Sequence, residues 1–160
     1  TPMHMKTIKI LSLLCVILLV SSCKQNNWLD WKTQNEVWLK QNAKNEGVVT
    51  TPSGLQYKCI FAGHATSARP DDAKMVEIKY SGKLINGNQF DASDSYVGYV
   101  SSFVAGFSEG LKKMNEFGIY EFYIPYKLGY GIDGTGTEGT TNHIPPYSTL
   151  IFYVELKDVL

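Results

Sequence analysis

Residues 144–158 read IPPYSTLIFYVELKD. The pair Pro145-Pro146 locks two successive φ angles into a tight turn, and an alternating strand follows it. Leu150, Phe152, Val154 and Leu156 share one side of that strand. The turn therefore delivers an apolar strand to a core. A chain that carries this run must build the rest of its sheet around it.

Other stretches supply candidates for that sheet. Leu55–Phe61 reads as a strand, and Met75–Gly82 alternates with Val76, Ile78 and Tyr80 on one face. Asn86-Gly87 is a hairpin signal, since both residue types tolerate positive φ. A short strand with Phe90-Asp91 follows. Phe107, Leu111 and Met114 fall on one face of a short amphipathic helix over Phe107–Met114, and Tyr120, Phe122 and Ile124 fall on one side of a strand over Phe117–Ile124. Several antiparallel strands with one short helix make an α+β layout, the helix covering one face of the sheet.

Upstream, residues 28–46 read as a helix that stops at Gly47. Trp28, Trp31, Asn35 and Trp38 line one of its faces. An exposed tryptophan stripe is costly, so it must find a surface: the chain's own domain, a second copy or partner through residues 28–46, or a lipid interface. Pro52 and Gly54 punctuate the link from this helix to the first long strand.

The first 22 residues have the layout of a secretory leader. Thr1–His4 read as residues upstream of Met5. Lys6 and Lys9 form a positive region, Ile10–Val20 an apolar run too short to span a bilayer, and Ser21-Ser22 a small pair before Cys23. Val20-Ser21-Ser22-Cys23 resembles a bacterial lipobox, which implies acylation of Cys23 and a lipid anchor in the membrane. Residues 24–27 are polar and read as a tether. Removing Lys6 and Lys9 leaves 13 of the 15 basic residues against 15 acidic ones, so no basic face points to nucleic acid. Cys15 leaves with the leader and Cys23 goes to lipid. Cys59 then stands alone in a strand, without a disulfide partner, and reads as structural rather than reactive. His64 and His143 lack ligand spacing and read as surface residues, and no metal site is expected.

Four stretches resemble one family in the same order. Val76-x-Ile78-x-Tyr80-x-Gly82-x-Leu84, with Gly87 and Phe90-Asp91, resembles a signature of FKBP-type peptidyl-prolyl isomerases. Gly106-Phe107-x-Glu109-Gly110-Leu111-x-x-Met114 resembles its helix, Ile124-Pro125-Tyr126-Lys127-Leu128-Gly129-Tyr130-Gly131 its IP-x-x-L-A-YG run, and residues 144–156 its closing strand. The run GVVTTPSGLQYK at 47–58 is similar to the join between an N-terminal helix and the catalytic domain in exported bacterial members.

The resemblance implies a five- to six-stranded antiparallel half-barrel wrapped on one short helix, over residues 48–160. The preceding residues divide into a leader (1–22) and a lipidated Cys, tether and short helix (23–47). It also implies a pocket between helix and sheet lined by Tyr80, Phe90, Asp91, Phe103, Val104, Phe107, Tyr130, Ile144 and Phe152. The backbone N–H of Val104 and the hydroxyl of Tyr130 would hydrogen-bond the ligand, with Asp91 as electrostatic support. Three departures stand out. Phe107 takes the place of the family's floor Trp. The stretch after Asp91 is abbreviated, with Tyr99 as a substitute wall residue. The flap over Gly131–His143 is longer than usual, and its Gly-Thr repeats imply mobility.

The implied activity is cis–trans isomerisation of X–Pro bonds in exported polypeptide clients, with no cofactor and with macrolides as further pocket ligands. The alternative is the same fold acting as a chaperone or protein-binding lipoprotein. Lys24 after Cys23 does not resemble an inner-membrane retention signal, so the expected address is the outer membrane of a Gram-negative envelope.

Overall fold

The computed structural model describes residues 27–65 and 68–160. The leader and the lipidation reading at Cys23 lie outside the described residues. Helix α1 (Asn27–Asn42) leads into strand β1 (Val48–Thr50). It stops short of the expected residue 46. Lys44 and Asn45 donate to the carbonyls of Gln41 and Asn42, which tightens the last turn. Gly47, at φ 78°, then reverses the chain.

Strands β2 (Gln56–Phe61), β3 (Met75–Lys83), β4 (Gln89–Tyr99), β5 (Ile119–Ile124) and β6 (Leu150–Val159) complete one antiparallel sheet in the order β1-β2-β5-β6-β3-β4. β3 and β4 form the hairpin that Asn86-Gly87 announces, with Gly87 at φ 88° and Leu84 N–H on the Asn88 carbonyl. The strand run expected from Phe117 begins at Ile119, because Phe117 itself adopts φ 64°.

Helix α2 (Ala105–Leu111) lies on the inner face of the sheet, against β5. Its glycines set the distance. A Cβ built on Gly110 would stand 2.7 Å from Phe122 Cζ, and one on Gly106 would stand 2.5 Å from Ile124 Cγ2. Phe107 and Leu111 from α2, Met114 from the turn after it, Tyr120, Phe122 and Ile124 from β5, and Leu150, Phe152, Val154 and Leu156 from β6 make one buried core with Val76 and Ile78.

The Tyr123 end of the outer face of β5 is buried as well. Tyr123 and its cross-strand neighbour Ile151 lie under cover, with Trp38 of α1 packed 5.7 Å from Tyr123. Polar anchors hold α1 there. Trp31 Nε1–H donates to Ser148 Oγ at 3.0 Å, and Thr149 N–H donates to Asn35 Oδ1 at 2.7 Å. Asn42 Nδ2 donates to Gln56 Oε1 at 2.9 Å, and Gln56 Nε2 to the Leu39 carbonyl at 3.0 Å. Trp31, Asn35 and Trp38 of the stripe therefore rest on the chain's own domain, while Trp28 stays exposed.

One local expectation needs correction: Cys59, expected as a structural residue, is exposed toward the end of β2. The segment after Asp91 continues the edge strand β4, which pairs with β3 as far as Tyr99.

Candidate active site

The aromatic rings of β3, β6 and α2 converge on the inner face, where Val76, Ile78, Tyr80 and Gly82 alternate inward along β3. Phe107 is the floor. It stacks on Phe103 (4.7 Å, 21°) and meets Phe152 (4.8 Å, 86°), Phe122 (5.4 Å, 90°) and Tyr80 (6.2 Å, 77°) edge-on. Edge-to-face contacts of this kind add to simple burial because positive ring edges meet negative faces. The cluster leaves a cavity of about 360 Å³ lined by Tyr80, Asp91, Tyr96, Ser102, Phe103, Val104, Phe107, Tyr130 and Phe152.

Seven of the nine residues expected around the pocket thus share one hollow. Phe90 and Ile144 stand behind it. Phe90 packs edge-on against Phe152 at 5.4 Å, and Ile144 is buried in the core beneath the flap.

Tyr96 is the wall residue on β4, and Tyr99 is not: Tyr99 is 54% exposed and outside the cavity. The reason is a bulge. Ile78 pairs with Tyr96 and Tyr80 with Ser93, so β4 carries one extra residue between them. The bulge inverts the alternation along β4. Asp91 and Ser93 face inward before it, Tyr96 and Gly98 after it. Tyr96 then stands edge-on to both Tyr80 (6.2 Å) and Phe103 (5.6 Å). A second shift, between the Gly82–Asp91 and Lys83–Gln89 pairs, makes Phe90 the extra residue there. Its ring fills the space over Gly82, where a Cβ would stand 2.7 Å from Phe90 Cε2.

The polar groups are few and differently committed. Tyr80 donates its hydroxyl to Asp91 Oδ2 at 2.8 Å. Burial, then that bond and the carboxylate's charge, push the Tyr80 phenol well above its ordinary range. Burial, then the charge of Asp91, also raises Tyr130. Its hydroxyl accordingly stays protonated at neutral pH and has no intramolecular acceptor among the described residues. Tyr130 sits between Gly129 and Gly131, 40% exposed at the cavity mouth. Behind it the flap is fastened at its base. Thr135 and Ile144 exchange backbone bonds of 2.9 and 2.8 Å, and Tyr147 N–H reaches the Gly131 carbonyl at 3.0 Å.

Across the cavity, Val104 caps α2. Its carbonyl accepts from Phe107 and Ser108, while its own N–H has no partner among the described residues. Ser108, which the motif reading passed over, fixes this corner. Its buried hydroxyl donates to the Val100 carbonyl at 2.6 Å, with the Phe103 carbonyl at 3.3 Å. That ties the short 3₁₀ turn (Val100–Ser102) to the helix and so sets the position of Phe103 and Val104. The site is an aromatic cup with two donors at its rim that are unpaired among the described residues, and one carboxylate already engaged.

Residues 66–157 match the family model described as FKBP-type peptidyl-prolyl cis-trans isomerase. The chain belongs to the FKBP-type isomerase family. Residues 22–59 match a second model, the domain amino-terminal to FKBP-type peptidyl-prolyl isomerase.

Among FKBP-type relatives, the probable isomerase FkpA of Neisseria meningitidis is 40% identical over 132 residues, covering 80% of this chain and 46% of that protein. The outer membrane protein MIP of Legionella longbeachae is 35% identical over 132 residues, 80% of this chain and 54% of that one. The crystal structure of FkpA from Escherichia coli superposes with a TM-score of 0.77 at 29% identity, covering 99% of this chain and 73% of that chain. The chain spans about half the length of the curated relatives it matches. The half-barrel on one short helix is the FKBP fold, and the convergence of Tyr80, Asp91, Phe107, Tyr130 and Phe152 is what the motif order implies for an FKBP-type pocket.

Proposed function

We propose that the cavity binds prolyl residues of polypeptide clients and accelerates rotation about the preceding peptide bond. The observation that carries this is the gathering of six aromatic rings from five separate segments around one hollow, with donors at Val104 and Tyr130 that have no partner among the described residues. Rotation about X–Pro faces a barrier of about 18–20 kcal/mol and takes tens to hundreds of seconds unaided. No bond breaks, so the protein needs no nucleophile. The planar amide is the more charge-separated form and is the better hydrated one. Enclosing it among Phe103, Phe107 and Phe152 strips that hydration and favours the twisted amide. The rim donors hold the flanking carbonyls. Asp91, which accepts from Tyr80, orients that hydroxyl and supplies a negative field beside the rotating bond.

A protease-free assay on an X–Pro tetrapeptide tests this. Tyr130→Phe loses one hydrogen bond and is expected to lower kcat/KM by about threefold, and Asp91→Ala by about tenfold. Wild-type exchange no faster than buffer refutes the enzyme reading. Retained macrolide binding in that case leaves the cup as a holding site for unfolded chains.

We further propose an envelope address, with residues 1–22 as leader, Cys23 as the lipidated residue, 24–47 as tether and docked helix, and 48–160 as the isomerase domain. The lipobox-like run and the printed name of the Legionella relative support it. Loss of membrane fractionation in Cys23→Ser is the expected result, and unchanged fractionation refutes it. A dimer through residues 28–46 finds less support, since Trp31, Asn35 and Trp38 are already engaged by the domain.

A further inference from the structure

A second and larger hollow lies on the other side of Phe90. It measures about 590 Å³ and is walled by three segments. Trp28 and Trp31 come from α1. Leu84, Asn86, Asn88, Gln89 and Phe90 come from the β3–β4 hairpin. Gly139, Thr140, Thr141, His143 and Pro145 come from the flap. None of these side chains is an acid, a lysine or an arginine. Two indoles, three carboxamides, two threonine hydroxyls and the His143 imidazole remain, with Leu84, Phe90 and Pro145 as apolar wall. Asn88, Gln89 and Thr141 make no side-chain hydrogen bond within the described residues, and Trp28 is 38% exposed, touched edge-on by His143 at 6.5 Å. This chemistry suits a neutral ligand that offers amide donors and acceptors along its length and apolar groups between them.

The groove also shares a wall with the prolyl cup. Phe90 lines the groove and packs on Phe152, which lines the cup, and Asp91, the next residue, lines the cup too. We infer that this groove is an accessory subsite for extended polypeptide, holding client residues beyond the prolyl dipeptide while that dipeptide occupies the cup. The inference rests on the isomerase reading for the cup but makes a separate claim: clients long enough to cross Phe90 gain affinity, and short peptides do not.

The protein carries its own reporter. All three tryptophans are Trp28, Trp31 and Trp38 on α1, and none lies in the cup. Trp28 and Trp31 line the groove and Trp38 packs on Tyr123, so a ligand that shifts tryptophan emission acts at the groove or on α1 and not in the prolyl pocket.

The experiment has two arms. In the first, kcat/KM is measured for wild type, Trp28→Ala and Asn88→Ala, on an X–Pro tetrapeptide and on a proline-limited refolding protein. Trp28→Ala is expected to lower the protein value about fivefold, as loss of one aromatic contact does, with the tetrapeptide value within about twofold of wild type. Asn88→Ala acts from the opposite wall and should move the same ratio in the same direction. In the second arm, wild type is titrated with a tryptophan-free unfolded polypeptide, reduced and carboxymethylated ribonuclease A, and with the tetrapeptide. Only the former should shift the emission.

Equal effects on both substrates, or none on either, overturn the inference. So does an emission shift with a neutral oligosaccharide such as N-acetylchitotetraose and none with the polypeptide. A wild type inactive on the tetrapeptide refutes the isomerase reading instead, and the titration still decides the groove.

Discussion

Gly110 offers the sharpest test of how the helix is seated. In an ordinary helix interior, Gly→Ala gains about 1 kcal/mol, since alanine restricts the unfolded chain and favours the helix. Here the new Cβ would stand 2.7 Å from Phe122 Cζ and 2.8 Å from both Cε atoms. Phe122 is fully buried, so its ring cannot swing away to solvent. Overpacking of this kind costs about 1–3 kcal/mol. Strain exceeds propensity, and Gly110→Ala should lose about 1 kcal/mol net, or roughly 4 °C in Tm for a domain of this size. Because Phe122 meets Phe107 edge-on, the pocket floor should move with it, and kcat/KM should fall as well. Urea unfolding followed by far-UV circular dichroism gives the first quantity, and the peptide assay gives the second. Phe122→Leu should make room, so the double variant Gly110→Ala/Phe122→Leu should be less damaged than the two single changes summed. A Gly110→Ala protein as stable as wild type, with additive behaviour in the cycle, refutes the close seating of α2 on β5.

Asn35 is 1% exposed, and its loss leaves the Thr149 N–H buried without an acceptor. Asn35→Ala should therefore cost about 2 kcal/mol in urea, and tryptophan emission should report α1 loosening before the sheet melts. Ser108→Ala removes the tie to Val100 and Phe103. It should lower isomerase kcat/KM severalfold with about 1 kcal/mol of stability lost, and an unchanged kcat/KM would refute the positioning role. Burial first, and then a bond with Cys59, pushes Tyr120 up to about 12, and burial raises Tyr80, Tyr123 and Tyr130 as well. The folded chain keeps phenolic protons that the unfolded chain releases near pH 10. Stability is therefore intact below that and falls from pH 10 toward 12. Urea midpoints across pH 9–12 should show this slope, and Tyr120→Phe should flatten it.

Much of this architecture was legible because apolar residues recur at strand spacing. Val76, Ile78 and Tyr80, and again Leu150 through Leu156, announce one-sided strands, and Asn86-Gly87 announces the turn between β3 and β4. The motif order implies that Tyr80, Asp91, Phe107, Tyr130 and Phe152 come together, and they share one hollow. What escaped is what alternation cannot encode. A strict period of two from Asp91 puts Tyr99 on the inner face, while a single extra residue on β4 puts Tyr96 there. A bulge leaves no residue-type signature in Ser93–Ser95. Asn35 sat in plain view within the tryptophan stripe, yet its partner is 114 positions away, and no local pattern links them. Ser108 was hidden likewise, because a hydroxyl on a helix bonds a carbonyl only when the preceding loop folds back over it. Cys59 reads as structural from its strand setting, and the register does pair it with buried Tyr120, but the far end of β2 runs past the core and leaves it exposed.

The strand order carries one more consequence, for the timing of folding. β6 is the last strand in sequence, yet it lies between β5 and β3. A ribosome releases the chain amino end first. Until residues 150–159 emerge, β1-β2-β5 and the β3–β4 hairpin are two sheets with no strand to join them, and Phe152 is missing from the wall of the cup. Closure of the sheet is thus deferred until β6 has been made, and until then its two halves stay unjoined.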